Sequence, residues 1–182
     1  MVSRSWWLSV ALRFTGIRFP VQIAFIDLKA PRDPDVAGVR FPAIYAKGGD
    51  VQGADLQLLA FSEMNSLKGI SFPLLIAGAN RIRGEMTGVS VGLFNWHEGQ
   101  DTGVNWGAVN ITNNVKGLNL GLLNIADGHT VADVGMVNIS ESSNFQLSWV
   151  NVTQQLNGLQ LGLVNCAKNG FLPCFIIFNF GQ

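Results

Sequence analysis

Gly88-Val89-Ser90-Val91-Gly92 spells the G-x-S-x-G pattern of a serine nucleophile. In that chemistry the serine sits on a sharp strand-to-helix turn, and a histidine and an acid converge on it to take its proton. Two histidines, His97 and His129, could act as base. The context argues against the chemistry. Gly92 is the central glycine of a repeated unit, the segment reads as mid-strand, and no helix follows it, so hydrolysis through Ser90 is only a remote alternative. His97 beside Glu98, and His129 near Asp127, fall in the turns of different repeats and read as solvated turn residues. No set of His, Cys, Asp and Glu has the spacing of metal ligands. The sequence assigns no catalytic, cofactor-binding or metal-binding residue, no cofactor and no small-molecule substrate.

Cys166 and Cys174 make no metal signature. They read as buried thiols acting as small hydrophobes, with a disulfide across one turn as the alternative. Asn110-Ile111-Thr112, Asn138-Ile139-Ser140 and Asn151-Val152-Thr153 are formal glycosylation sequons. All three occupy the same place in a repeat, which makes them by-products of it. If those asparagines form an inner ladder, they are closed to modification.

The elements that must position these residues are copies of one heptapeptide, apolar-x-apolar-Gly-apolar-apolar-Asn. It appears as VNWGAVN at 104–110, LNLGLLN at 118–124 and LQLGLVN at 159–165, with shorter matches ending at Asn95, Asn138 and Asn151. The asparagines step along the chain by 15, 14, 14, 13 and 14 residues. With the glycine numbered zero, −1 and +1 are apolar and +3 is Asn. Position +5 is small in Thr112, Ala126, Ser140, Thr153 and Ala167. Four to six mostly polar residues separate the copies. Period-two alternation and β-branched enrichment make the unit a strand, and no segment shows a helical period. Upstream copies are degenerate: one ends at Asn80 with Ala77 in the glycine slot, LQLLAFS at 56–62 has Leu59 there, and RFPVQIAFID ends at Asp27 after Ala24. Three Phe-Pro pairs, at 19–20, 41–42 and 72–73, mark strand starts or edges. KAPRDPD at 29–35 reads as a loop, and about eleven units cover most of the chain.

One domain follows: an N-terminal cap at 1–18, degenerate repeats at 19–87, regular repeats at 88–167 and a C-terminal cap at 168–182. The motif has a direction, because Asn follows the glycine and never precedes it. Parallel stacking gives identical residues a reason to meet, and an Asn ladder can satisfy turn backbone groups. The fold expected is therefore an all-β repeat solenoid with coils of about 14–18 residues. The alternative is an antiparallel meander closing into a barrel, for which Asn113-Asn114 and Asp127-Gly128 are turn signals.

Composition bounds the function. The chain of 182 residues is 48% hydrophobic, 13% charged and net neutral, with 21 Gly, 12 Phe and 5 Trp. Only Asp101, Lys116, Asp127, Asp133, Glu141 and Lys168 are charged beyond position 100, so no basic face exists to neutralise nucleic-acid phosphates. No apolar run approaches the length of a membrane helix. The start, MVSRSWWLSVALR, has a brief apolar stretch closed by Arg13 and does not read as a signal peptide.

The units GLNLGLLN (117–124) and GLQLGLVN (158–165), closing with NGFLPCFIIFNFG (169–181), resemble a bacterial surface-repeat family. Its members carry G-L-Q-L-G-L-V-N repeats and a terminal N-G-F-L-P-x-F-x-x-F-N-F segment. The resemblance spans about 88–181, departs from the pattern at Ser148 in one glycine slot, and implies an envelope or surface location. The function expected is a non-enzymatic scaffold or binding module, partnered by a second copy of the chain or another surface protein. The apolar +2 row, Val109, Leu123, Val137, Val150 and Val164, reads as lying on the same face as the glycines and as the contact surface if that face is outward. A small membrane-embedded barrel is the competing class.

Overall fold

The structure, a computed structural model, describes residues 21–24 (backbone alone), 35–59, 61–75 and 78–182. The expected cap at 1–18, Asp27, most of the loop at 29–35 and Ala77 lie outside these residues. The strands are β1 (Val21–Ala24), β2 (Val36–Pro42), β3 (Tyr45–Lys47), β4 (Asp50–Gln57), β5 (Phe61–Met64), β6 (Ser66–Pro73), β7 (Ala79–Ile82) and β8 (Met86–Val91). They continue as β9 (Phe94–His97), β10 (Gln100–Trp106), β11 (Val109–Thr112), β12 (Asn114–Leu120), β13 (Leu123–Val134), β14 (Val137–Leu147), β15 (Val150–Ala167) and β16 (Cys174–Phe180).

The chain winds as a β-solenoid of about eight turns. Even strands from β2 to β12 stack on one leg and odd strands from β3 to β11 on the other. β13, β14 and β15 each run through both legs. Every pairing from β1 to β15 is parallel, with like repeat positions in register: Asn105 on Asn119, Val109 on Leu123, Asn124 on Asn138. The directional argument therefore holds, and the barrel alternative is overturned. Asn113-Asn114 and Asp127-Gly128 pass from coil to coil without forming hairpins. Among the described strands only β16 is antiparallel, laid on the last coil.

Three sequence expectations need correction. The heptapeptide is two strand ends joined at a corner in each regular copy but the last, where β15 runs on through Gly162. β10 stops at Trp106, Gly107 and Ala108 bend, and β11 starts at Val109. The glycine therefore stands at the corner, where a Cβ on Gly107 would lie 2.6 Å from the Gly92 carbonyl oxygen and 2.7 Å from Asn95 Nδ2. Because the chain turns there, the +2 row and the −1 row point outward from different legs and share no strand face with the glycine. The Phe41-Pro42 and Phe72-Pro73 pairs end strands β2 and β6; Pro42 keeps its acceptor, taking Leu58 N–H at 2.9 Å. Phe19-Pro20 lies outside the described residues.

A second glycine row escaped the sequence reading. Gly53, Gly69, Gly88 and Gly103 stack in register on adjacent coils. Their φ values, 132, 139, 133 and 140°, are ones that L side chains rarely adopt. A Cβ on Gly103 would stand 1.9 Å from the Gly88 carbonyl oxygen. These glycines let the carbonyl of the stacked coil stand where a side chain would otherwise be.

The interior is mostly polar. Among the described residues, buried polar side chains outnumber buried hydrophobic ones by more than two to one. An apolar cluster, Val51, Met64, Leu67, Ile82 and Met86, fills the early coils on the side away from the glycine corner. Along the corner runs the asparagine ladder. Asn80, Asn95, Asn110, Asn124, Asn138 and Asn151 each donate Nδ2–H to the Oδ1 of the next asparagine, ending on Asn165, at 2.7–3.1 Å. The other amide hydrogen of Asn110, Asn124 and Asn151 goes to the −1 carbonyl of the following coil at 2.9–3.0 Å. Ser148 fits its glycine slot because its Oγ donates to Asn151 Oδ1 at 2.7 Å. The small +5 residues are all buried, as a narrow interior requires.

Asn124→Ala removes the partners of Asn110 Nδ2, Asn138 Oδ1 and the Val134 carbonyl while leaving a void. It should cost about 2–4 kcal/mol in urea unfolding. Thr102→Ala, at an exposed site, should stay within about 0.5 kcal/mol.

Candidate functional site

The ends of β8, β9 and the start of β10 bring three chemistry-bearing side chains together inside the coil. Ser90 Oγ lies 3.3 Å from His97 Nε2, and His97 Nδ1 lies 2.7 Å from Asp101 Oδ2. Ser90 points inward two residues before the glycine corner, His97 two residues after the ladder asparagine, and Asp101 from the next coil. A carboxylate only accepts, so His97 donates from Nδ1 and leaves Nε2 as the acceptor facing Ser90. This is the relay order of an acyl-transfer triad. The sequence offers His97 and His129 as possible bases for Ser90, names no acid for it, and places both histidines in solvated turns. His97 is in fact 1% exposed, a correction that follows from the polar interior. His129 stays outside the constellation, half-buried, with Nδ1 3.1 Å from Ser142 Oγ.

The geometry lacks what acyl transfer also needs. Ser90 and Asp101 are 0% exposed, and coils stack on both sides of them. The Ser90 hydroxyl is shared: its Oγ accepts from Asn80 Nδ2 and also faces Asn95 Oδ1, each at 3.1 Å. No sharp strand-to-helix turn presents it. The repeat explains the match instead. Gly88 belongs to the inner glycine row and Gly92 to the corner, so every regular copy of that form reads Gly-x-inward polar-x-Gly. The inward residue is Asn105, Asn119 or Gln160 where Ser90 stands in the first. The Gly-x-x-x-Gly spacing was the available signal for the second glycine row.

This inward −2 row is itself a polar stack. Asn105 donates to Asn119 at 3.0 Å and Asn119 to Asp133 at 2.8 Å. From the other end, Gln160 donates to Gln146 at 2.7 Å. Thr130 donates to Asp133 Oδ2 at 2.5 Å. Burial holds the Asp133 carboxyl above the usual carboxylate range, against the hydrogen bonds from Thr130, Asn119 and Gln146 that favour its charge. Between β2 and β4, Arg40 Nε donates to Asp55 Oδ1 at 2.6 Å, an ion pair 1% and 0% exposed. A buried ion pair of this kind adds little net stability.

Asn110, Asn138 and Asn151 are 0% exposed, so their sequons are sealed. Cys166 and Cys174 form a disulfide with an S–S distance of 2.05 Å. The buried-thiol reading is thereby replaced by its alternative, with Cys174 exposed on β16. Among the described residues no group of three or more His, Cys, Asp and Glu could hold a metal ion, and no helix is long and apolar enough to cross a membrane.

The outer surface inverts the interior. In the regular coils, positions −3, −1, +1, +2 and +4 all face outward and all are apolar, apart from the disulfide-bonded Cys166. Apart from the half-buried Ala108, the tip row is exposed, from Met136 at 37% to Leu163 at 66%, with Leu93, Leu122 and Trp149 between. Charged groups in these coils keep to the opposite edge (Glu98, Lys116, Asp127, Glu141, Lys168) or to the interior (Asp101, Asp133). No family model, curated protein or solved structure matches the chain.

An acid whose folded pKa lies above its unfolded value supports the fold while protonated. That support is complete below the unfolded carboxylate range and is lost as pH rises through the folded value. Asp133 therefore weakens the fold at neutral pH. Asp133→Asn should raise Tm at neutral pH by about 2–4 °C, with the gap closing in acid, as a pH series of thermal scans would read.

Proposed function

We propose that the chain is a non-enzymatic repeat protein of the bacterial envelope or surface, a rigid scaffold whose binding surface is its apolar glycine edge. One observation carries this reading: Ser90, His97 and Asp101 are sealed in the interior, while apolar side chains line one outer edge. Large exposed apolar patches mark contact surfaces. The resemblance of the 117–124, 158–165 and 169–181 segments to surface repeats supports the location. So does the Cys166–Cys174 bond, because disulfides persist in oxidising compartments.

A serine hydrolase is the second reading, favoured by the Ser90–His97–Asp101 geometry alone. It needs a coil to open before any ester could reach Ser90, and opening would break the Asn80–Asn95 and Asn95–Asn110 links.

The two readings part under an active-site probe. Incubation of the folded protein with a fluorophosphonate, followed by peptide mapping, should leave Ser90 unlabelled. Turnover of an activated ester should be equal for wild type and Ser90→Ala. A labelled Ser90, or turnover that Ser90→Ala abolishes, overturns the non-enzymatic reading.

A further inference from the structure

We infer that the glycine edge inserts into one leaflet of a lipid bilayer, with the solenoid axis parallel to the membrane plane. This rests on the preceding reading of the edge as the contact surface and names its partner.

The shape of the apolar band decides between occupants. It is a convex ridge: a tip row with an apolar flank on either leg. Six regular coils at about 4.8 Å span about 29 Å, and each flank reaches about 10 Å from the tip at the strand rise. One flank therefore offers about 300 Å², well under the ~800 Å² per partner of a stable protein interface. A second copy laid on one flank leaves the tip and the other flank in water. Acyl chains surround all three at once. The reach of about 10 Å is shorter than the ~15 Å depth of one hydrocarbon leaflet, so the ridge enters one leaflet and does not cross.

Charge fits the same occupant. The outward band of the regular coils carries no charged residue from Val89 to Cys166, and the charges of the opposite edge are of both signs. Such a surface matches hydrocarbon and has no basic ring for anionic headgroups. Desolvation of the tip is also cheap in hydrogen bonds. The corner N–H groups of Gly92, Gly107, Gly121, Gly135 and Ser148 each donate to a carbonyl one coil on at 2.9–3.0 Å. The Ala108 carbonyl accepts both Leu122 and Leu123 N–H at 3.0 Å. In hydrocarbon, which offers no partner, those groups would otherwise be left unsatisfied.

Two further features belong to the ridge. Where the +1 residue shrinks to Ala108, an open apolar groove of about 730 Å³ runs between Leu75, Leu93, Trp106 and Leu122, room for acyl methylenes. At the other end β16 extends the tip with Ile177, which is paired to Gly162 and 68% exposed. Its φ of 72° is one that a β-branched residue adopts at a cost. A glycine would relieve that backbone; the chain keeps an apolar side chain there.

Neutral phosphatidylcholine vesicles are the probe. Wild type should cosediment with them, with tryptophan emission quenched by brominated acyl chains and binding equal at low and high salt. Leu122→Lys/Leu163→Lys alters two exposed tips, so it should fold with an unchanged urea midpoint and lose more than about tenfold in partitioning. Equal vesicle binding by wild type and the double variant overturns insertion by this edge. Absence of vesicle binding, with concentration-dependent dimers that the double variant dissociates, overturns the lipid partner and leaves the edge as the contact surface for a second copy. Neither vesicle binding nor self-association overturns both readings.

Discussion

Parallel stacking at one strand spacing forces every coil to place the same kind of side chain at the same height. An inward residue must therefore be able to touch its own copy above and below. A carboxamide meets that condition better than any other polar group, because it donates and accepts in line with itself. Seven asparagines from Asn80 to Asn165 do this with nearly uniform spacing. The spare hydrogens of Asn110, Asn124 and Asn151 reach the corner carbonyls of the following coil, so the ladder also ties one leg to the other. Corner glycine follows from the ladder, since a Cβ at Gly107 or Gly121 would strike it. Register, corner and direction of winding are thus one constraint.

The same constraint turns the distribution of polarity inside out. A narrow coil has too little width for interlocking large hydrophobes, which gather in the early cluster around Met64 and Met86, with Val115 and Leu156 buried singly in later coils. Elsewhere the interior is held by hydrogen bonds with few gaps. Among the described residues, Asp101 Oδ1, Asn105 Oδ1, Gln57 Oε1 and Gln160 Oε1 are the buried side-chain oxygens without a donor. Apolar residues removed from the inside appear on the outer edge. That accounts for a chain rich in Leu, Val and Trp whose buried side chains are mostly Asn, Ser, Thr and Gln. Ser90, His97 and Asp101 are one instance of this filling, where three polar occupants happen to fall in relay order.

Much of this was legible in the sequence. The fixed place of Asn after Gly pointed to parallel coils, and the small +5 residues pointed to a thin interior. Three matters were not legible, for one reason. Alternation was followed straight through the glycine, although a two-residue corner resets its parity. Ser90 at −2 and Asn95 at +3 are five residues apart, an odd separation, so a straight strand cannot bury both. The regular polarity of both positions was the overlooked sign of a corner. His97 was assigned to solvent because polarity was taken to mean exposure, a rule that fails where the inside is polar. The inner glycine row at 53, 69, 88 and 103 is hidden in the sequence by the corner glycines beside it.

The antiparallel lie of β16 has its own consequence. A parallel coil ends in a row of free peptide groups that would template another coil, from the same chain or a neighbour. β16 fills that row from Leu159 to Cys166 in the opposite sense, and the Cys166–Cys174 bond ties its start to the last rung. Asn165 Nδ2, having no asparagine above it, turns to the Gly162 carbonyl at 2.9 Å. A newcomer would meet reversed polarity and no amide to continue the column. Parallel stacking thereby stops at this rung, where an uncapped solenoid would be the seed of a filament.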